Sequence, residues 1–192
     1  MTVKYNFDFI RTSLLLAAFL TLLNISPALC GEKVVSKNFT MIPSLIQSVR
    51  FTDDVYFCDI KIPLENSEVM QRLEKEMLLA LWNRPQVILW LKRSTRYFGH
   101  METILKTHNL HPDYKYVPVI ESALRPHSRS SKGAVGFWQF ISSTGRRYGL
   151  RIDSKLDERR HVIKSTEAAC RYLTKLQEQF GSCLLALAAY NM

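Results

Sequence analysis

A chain of 192 residues has room for one compact domain with an export segment and a flank, which excludes a second large domain. With 47% hydrophobic and 22% charged residues, it holds enough apolar material for a packed core, which excludes a mostly disordered chain. The formal charge of +9 favours polyanionic partners such as nucleic acid, anionic lipid or cell wall, and does not separate them from a merely soluble basic surface.

At the N-terminus, Lys4 and Arg11 precede the apolar run from Leu14 to Leu23, and Asn24, Ser26 and Pro27 lead into Ala28, Leu29, Cys30 and Gly31. This order predicts a secretory signal peptide over residues 1–30, since the apolar run is well short of the roughly 20 residues that span a bilayer. Small residues permit cleavage after Ala28 or after Cys30. Lipid attachment at Cys30 is the alternative, weakened by Leu29 where a small residue is wanted. Export disfavours nucleic acid as a partner.

Residues 31–105 read as a flank, irregular to about Pro63 with a short extended pattern from Val55 to Ile62, and mostly helical from about residue 68. Met70, Leu73, Met77, Leu78 and Leu81 fall at helical spacing, and Val87, Ile88 and Leu91 follow Pro85. The pattern predicts two helices broken near Asn83-Arg84-Pro85, with Trp82 and Trp90 as core or helix-packing residues rather than a sugar platform.

The remainder, residues 106–192, reads as one further domain. A helical stretch starts near Asp113, a candidate N-cap, presents Val117, Ile120 and Leu124 on one face, meets a kink site at Pro118 and stops at Pro126. Ser128 to Gly136 is polar and small, as a surface loop is. Another helix is expected from about Ile163 to Phe180, with Ala169, Leu173, Leu176 and Phe180 buried and Gly181 as its stop. Ser182 is placed to cap a last segment, Cys183 to Tyr190, which is apolar nearly all round and expected to be buried.

Removing the signal leaves Cys58, Cys170 and Cys183, with Cys30 kept only under some cleavage choices. These do not amount to a disulfide framework, although an oxidising compartment permits one bridge; Cys170, on an amphipathic helix, is expected as a buried free thiol. No Cys/His spacing resembles a zinc site, and His108 and His111 read as solvated loop side chains. Neither a metal nor a cofactor is expected.

Glu121 is the residue with chemical potential. It stands four residues after Val117 and one after Ile120, at the edge of the apolar stripe and near the helix end. Partial desolvation there raises a carboxyl pKa, as a general acid working near neutral pH requires. From helix pattern alone, a surface ion pair with Arg125 one turn on is the plainer reading. The following stretch weighs against it, because Ser122 to Ile152 holds no Asp or Glu but does hold Arg125, Arg129, Lys132, Arg146, Arg147 and Arg151. A glycosidase usually needs two carboxylates, so either Asp153, Asp157 or Glu158 folds back or the substrate supplies the second group. Asp157 and Glu158, beside Arg159 and Arg160, look more like helix-entry or salt-bridge residues.

The run "YVPVIESALRP", followed in order by "SSKGAVGFWQF", "TGRRYGL", "DERRHVIKSTEAACRYL" and "LALAAYN", resembles the lytic transglycosylases of glycoside hydrolase family 23, and among them the membrane-bound lytic murein transglycosylase D group. The resemblance extends over Tyr114 to Asn191, and the upstream "PLENSEVMQRLEKEMLLALWNRPQVILWLKRSTRYF" is similar to the helical flank of that group. It implies a mainly α, lysozyme-like (α+β) catalytic domain with a helical N-terminal flank and at most a small β element.

The implied reaction is cleavage of the MurNAc–GlcNAc β-1,4 bond of peptidoglycan without water, leaving a 1,6-anhydro end. Carried over by motif, Glu121 is the single acid and base, and Ser122, Ser130, Gln139, Trp138, Tyr190 and Asn191 line the substrate site. Of these, Ser122 orients the turn, Ser130 and Gln139 contact the sugar or its N-acetyl group, and Trp138 either stacks on sugar or packs under the loop. Tyr190 lies near the catalytic carboxyl and is expected to hydrogen-bond to it. Glycan strands are the implied partner and the periplasm the implied location, with outer-membrane association as an alternative; the sequence is silent on oligomeric state.

The chain departs from the family pattern where His161-Val162 replaces the usual Asp-Pro after "DERR" and where Cys183 replaces a commonly aromatic position. Relatives continue past this Asn into a glycine and a further helix, so the domain is expected to be truncated at its C-terminus. Two other readings stay open: a goose-type lysozyme-like hydrolase using a second carboxylate, and an inactive wall-binding remnant.

Overall fold

The computed structural model describes residues 51–191; the expected signal peptide, with Cys30, lies outside them. Among the described residues the protein is mainly helical with one two-stranded sheet, consistent with the expected lysozyme-like class. Strands β1 (Tyr56–Phe57) and β2 (Ile60–Lys61) pair antiparallel, Tyr56 opposite Lys61 and Phe57 opposite Ile60. The turn residues Cys58 and Asp59 both have left-handed backbones, φ 49° and 59°, the twist that a two-residue hairpin needs.

Helix α1 (Ser67–Trp82) is capped by Asn66, whose side chain accepts from the Glu68 and Val69 amides. It ends at Asn83, and α2 (Arg84–Thr107) begins at once with Pro85 in its first turn, where a missing N–H is harmless. The expected break therefore stands, but α2 runs on to Thr107, so residue 105 falls inside its last turn. Its buried face is Ser94, Met101 and Leu105 rather than the earlier apolar residues; Ile88 is exposed. Trp82 corrects the sequence expectation more sharply: it is 89% exposed at the end of α1, whereas Trp90 packs against the core.

The next helical stretch divides in two. A 3-10 turn (Pro112–Tyr116) leads into α3 (Val117–Ser122), with Pro118 in the first turn, where it introduces no kink. The cap of the 3-10 turn is His111, whose Nδ1 accepts from the Asp113 amide. Asp113, expected as the cap itself, instead accepts from the Cys58 amide at 2.8 Å.

After a looped region come α4 (Ser142–Arg147), a 3-10 turn (Glu158–Arg160), α5 (Val162–Phe180) and α6 (Cys183–Tyr190). The His161 side chain accepts from the Lys164 amide at the start of α5, so the departure from Asp-Pro leaves the helix with a cap of its own. Gly181, left-handed at φ 67°, ends α5. Ala169, Leu173 and Leu176 are buried as the periodicity requires, but Phe180, the last residue of α5, is exposed rather than buried. Ser182 makes no side-chain cap bond, and α6 buries Cys183, Ala186 and Leu187 while Leu185 faces outward.

The core gathers Met101 and Leu105 of α2, Tyr114 and Tyr116, Val117 and Val119 of α3, Phe137 and Trp138 of the loop, and Ala169, Cys170 and Leu173 of α5. A disulfide joins Cys58 in the hairpin turn to Cys183 at the start of α6, 125 residues apart, while Cys170 is a buried free thiol.

Candidate active site

Glu121 occupies the last turn of α3, and the chain leaves that helix abruptly. Ala123 and Leu124 are both left-handed, φ 53° and 56°, a costly state for residues with a Cβ. Three interactions hold it: the Ala123 amide donates to Val119 O (2.8 Å), the Leu124 amide to Pro118 O (3.1 Å), and Arg93 of α2 donates through Nη1 to Ala123 O (2.9 Å). Leu124 is fully buried beneath them. Strain supported in this way is common beside reacting groups.

The segment from Ser128 to Phe140 folds over this turn through bridges pairing Arg129 with Val135 and Val135 with Phe140. Gly136, φ 86°, is irreplaceable there, since a Cβ would stand 1.9 Å from Arg159 O. Arg159 is the brace. Its guanidinium, almost wholly buried, donates to Gly133 O (3.1 Å) and Phe140 O (3.0 Å) and grips Asp157 through Nε (2.8 Å) and Nη2 (2.7 Å).

Each expected site residue has a defined place. Ser122 is buried, its hydroxyl within 2.9 Å of both Pro118 O and Phe137 O, so it pins the loop to α3 and has no surface for a substrate. Trp138 is fully enclosed, with Nε1 donating to Thr166 Oγ1 at 3.0 Å; no ring face is open to a sugar, and its place is under the loop. Ser130 is half-buried and its hydroxyl accepts from the Ala134 amide. Gln139, left-handed at φ 49°, donates through Nε2 to Gly136 O (2.9 Å) and Ser128 O (3.3 Å), while its Oε1 has no hydrogen bond among the described residues.

Tyr190 donates its hydroxyl to Trp138 O at 2.7 Å rather than to Glu121. Its ring packs against Phe140 and Tyr172, and Tyr172 stacks on Tyr148 with centroids 4.8 Å apart. Asn191 is exposed and donates to Leu187 O, closing the last turn of α6.

The Glu121 carboxyl makes no ion pair and no hydrogen bond among the described residues. Arg125, whose ion pair with Glu121 is the plainer reading of the helix pattern alone, donates to Ser122 O instead. Burial without a compensating charge pushes the Glu121 carboxyl up to about 7. The Tyr190 hydroxyl is pushed well above its usual value, first by burial and then by the field of Glu121, so it stays neutral beside that carboxyl.

The later acids are engaged elsewhere. Asp153 is held at about 2 by its bond from Arg151 and by the amides of Lys155 and Leu156, Asp157 is held low by Arg159, and Glu158 accepts from the Arg151 amide.

Residues 102–192 match the family model described as the transglycosylase SLT domain. Over 88 residues the chain is 43% identical to the membrane-bound lytic murein transglycosylase D of Escherichia coli (strain K12), a match covering 45% of this chain and 20% of the relative. The protein of the same name from Escherichia coli O6:H1 matches to the same extent. A putative tributyltin chloride resistance protein of Alteromonas sp. (strain M-1) is 32% identical over 108 residues, 55% of this chain and 52% of that protein. The chain thus spans from a fifth to about half of the length of these relatives.

The SLT match includes Glu121 and the loop above it but begins inside α2, so Arg93, which braces the Glu121 turn, is contributed from outside it. Arg93 and Thr166 lie within the motif runs but take no role from the sequence, and Arg159 reads there only as a salt-bridge neighbour of Asp157. A further group of potential ligands comprises Cys58, His111 and Asp113, whose donor atoms lie within 4.8 Å of one another. His111 is consequently not a solvated loop residue: its Nε2 is 3.2 Å from Asp59 and its Nδ1 3.4 Å from Asp113.

Proposed function

We propose that this protein is a peptidoglycan lytic transglycosylase that cleaves the β-1,4 MurNAc–GlcNAc bond and leaves a 1,6-anhydroMurNAc end, with Glu121 as acid and then base. The observation that carries this reading is a desolvated carboxyl, titrating at about 7, with no carboxylate partner of its own. Half protonated at neutral pH, Glu121 has a proton to give to the leaving glycosidic oxygen. Once ionised it can take the proton of the sugar's C6 hydroxyl, which closes the anhydro ring. The substrate's N-acetyl group supplies the assistance that a second carboxylate gives in most glycosidases. A hydrolase would need an acid to hold water, and Asp153, Asp157 and Glu158 are all committed to structural bonds.

Gln139, with its amide nitrogen tied down and its Oε1 available, and Ser130 on the same folded segment are the polar groups proposed to hold the sugar. Tyr190 keeps a neutral hydroxyl beside Glu121. The glycan strand is the partner, and the N-terminal signal reading places the reaction in the periplasm. No helix of the described residues is long and apolar enough to cross a membrane.

The test is digestion of purified sacculi with mass spectrometry of the products. Anhydro-ended muropeptides that disappear with Glu121→Gln support the proposal. Reducing ends would assign a hydrolase, and sacculus binding without turnover an inactive wall-binding protein.

A further inference from the structure

The Cys58–Cys183 disulfide lies among side chains that would be a zinc ligand set if the bond were open. Cys58, His111 and Asp113 bring one donor atom each to within 4.8 Å of one another, and Cys183 is covalently joined to the first. Two cysteines, one histidine and one aspartate make a complete four-coordinate set of the N, S and O donors that zinc takes. Bonds of about 2.0–2.3 Å in tetrahedral geometry put neighbouring donors roughly 3.3–3.8 Å apart, so the Cys58, His111 and Asp113 donors need only a small inward movement, while the two sulfurs move apart once their bond is broken.

The surroundings also match what such ligands need. The Asp113 amide donates to His111 Nδ1, which keeps that nitrogen unprotonated and puts the ring proton on Nε2; zinc would take the place of the amide on the one Nδ1 lone pair. Nε2 stands 3.2 Å from the Asp59 carboxylate, the outer partner that orients a metal-bound imidazole and raises its basicity. Asp113 is likewise held, its Oδ2 accepting from the Cys58 amide at 2.8 Å. His111, Asp113 and Cys183 lie inside the SLT match and Cys58 and Asp59 outside it, and the Glu121 chemistry uses none of them.

We propose that the hairpin turn, the His111–Asp113 turn and the start of α6 form a clasp closed in either of two ways: by the Cys58–Cys183 disulfide, or after reduction by one zinc ion held by Cys58, Cys183, His111 and Asp113. A dithiol passes two electrons to the disulfide and closes to its own disulfide, and its two protons go to the two cysteine sulfurs. Zinc(II) then displaces both thiol protons to solvent. The metal re-forms a link between residues 125 apart in sequence that reduction alone would release.

The experiment uses the whole chain, reduced with a water-soluble phosphine, incubated with zinc chloride and passed through a desalting column, with circular dichroism followed in parallel. The expected result is one zinc per reduced chain and none per oxidised chain. Cobalt(II) in its place should show a thiolate charge-transfer band. His111→Ala and Asp113→Asn, first checked for folding in the oxidised state, should weaken zinc binding more than Asp59→Asn, which should lower affinity about tenfold as an outer-partner change does. Cys170→Ala should leave binding unchanged. Absence of bound zinc in the reduced chain, binding indifferent to both His111→Ala and Asp113→Asn, or a reduced chain equally unfolded with and without zinc would each overturn the proposal.

Discussion

Glu121 is held near neutrality by what is missing around it. Its pKa of about 7 against an ordinary 4.5 means that the folded protein binds more protons than the unfolded chain between those values, so stability falls as pH rises through that window. The full cost of holding the ionised carboxyl is on the order of 3 kcal/mol above pH 7. Glu121→Gln should remove it: urea denaturation should show the variant more stable by up to about 3 kcal/mol at pH 8, with little gain at pH 4. Because the first step needs the protonated acid, the wild-type rate on sacculi should also decline as pH rises through about 7. A flat profile from pH 6 to 9 would mean that another group gives the proton. The position of Glu121 at the edge of an apolar stripe was legible from Val117 and Ile120. That Arg125 would turn to Ser122 O was not, because a residue one turn away offers both an ion pair and a backbone bond at similar cost.

The loop from Ser128 to Phe140 is the element that turns a short helix end into a site. It is pinned by Ser122 beneath, by Trp138 to Thr166 of α5, by Tyr190 of α6 to Trp138 O, and by Arg159 to two of its carbonyls. Gly136 is where α5's entry turn and the loop touch backbone to backbone, so Gly136→Ala should destabilise the fold by more than about 2 kcal/mol, measured as a shift in the urea midpoint. Unchanged stability would show that the loop and the Arg159 turn are free to separate. Trp138 illustrates the limit of reading this element from sequence. An aromatic in a small, polar loop has the composition of a sugar platform, and only the packing of α5 behind it shows that the ring is enclosed. Likewise, α2 carries apolar residues at Val87, Ile88 and Leu91 in helical register, yet its buried face is set farther on, where α5 lies against it.

At the scale of the molecule, the Cys58–Cys183 bond closes nearly the whole described chain into one loop. Replacing both cysteines by serine should cost about 2–5 kcal/mol, seen in thermal unfolding, with the loss falling on the unfolded chain's freedom rather than on the Glu121 turn. The amino-acid sequence by itself determined the long helices α1, α2 and α5 with their breaks at Asn83 and Gly181, and a lone acid in a basic stretch, because each of these rests on residues within a few positions of one another. The tertiary structure alone decided how dry Glu121 is, that Trp138 is buried, that Arg93 and Arg159 brace the site, and that Cys58, His111, Asp113 and Cys183 meet. Those outcomes depend on elements brought together across tens of residues, and periodicity along a chain carries no record of which remote surface will cover a given side chain.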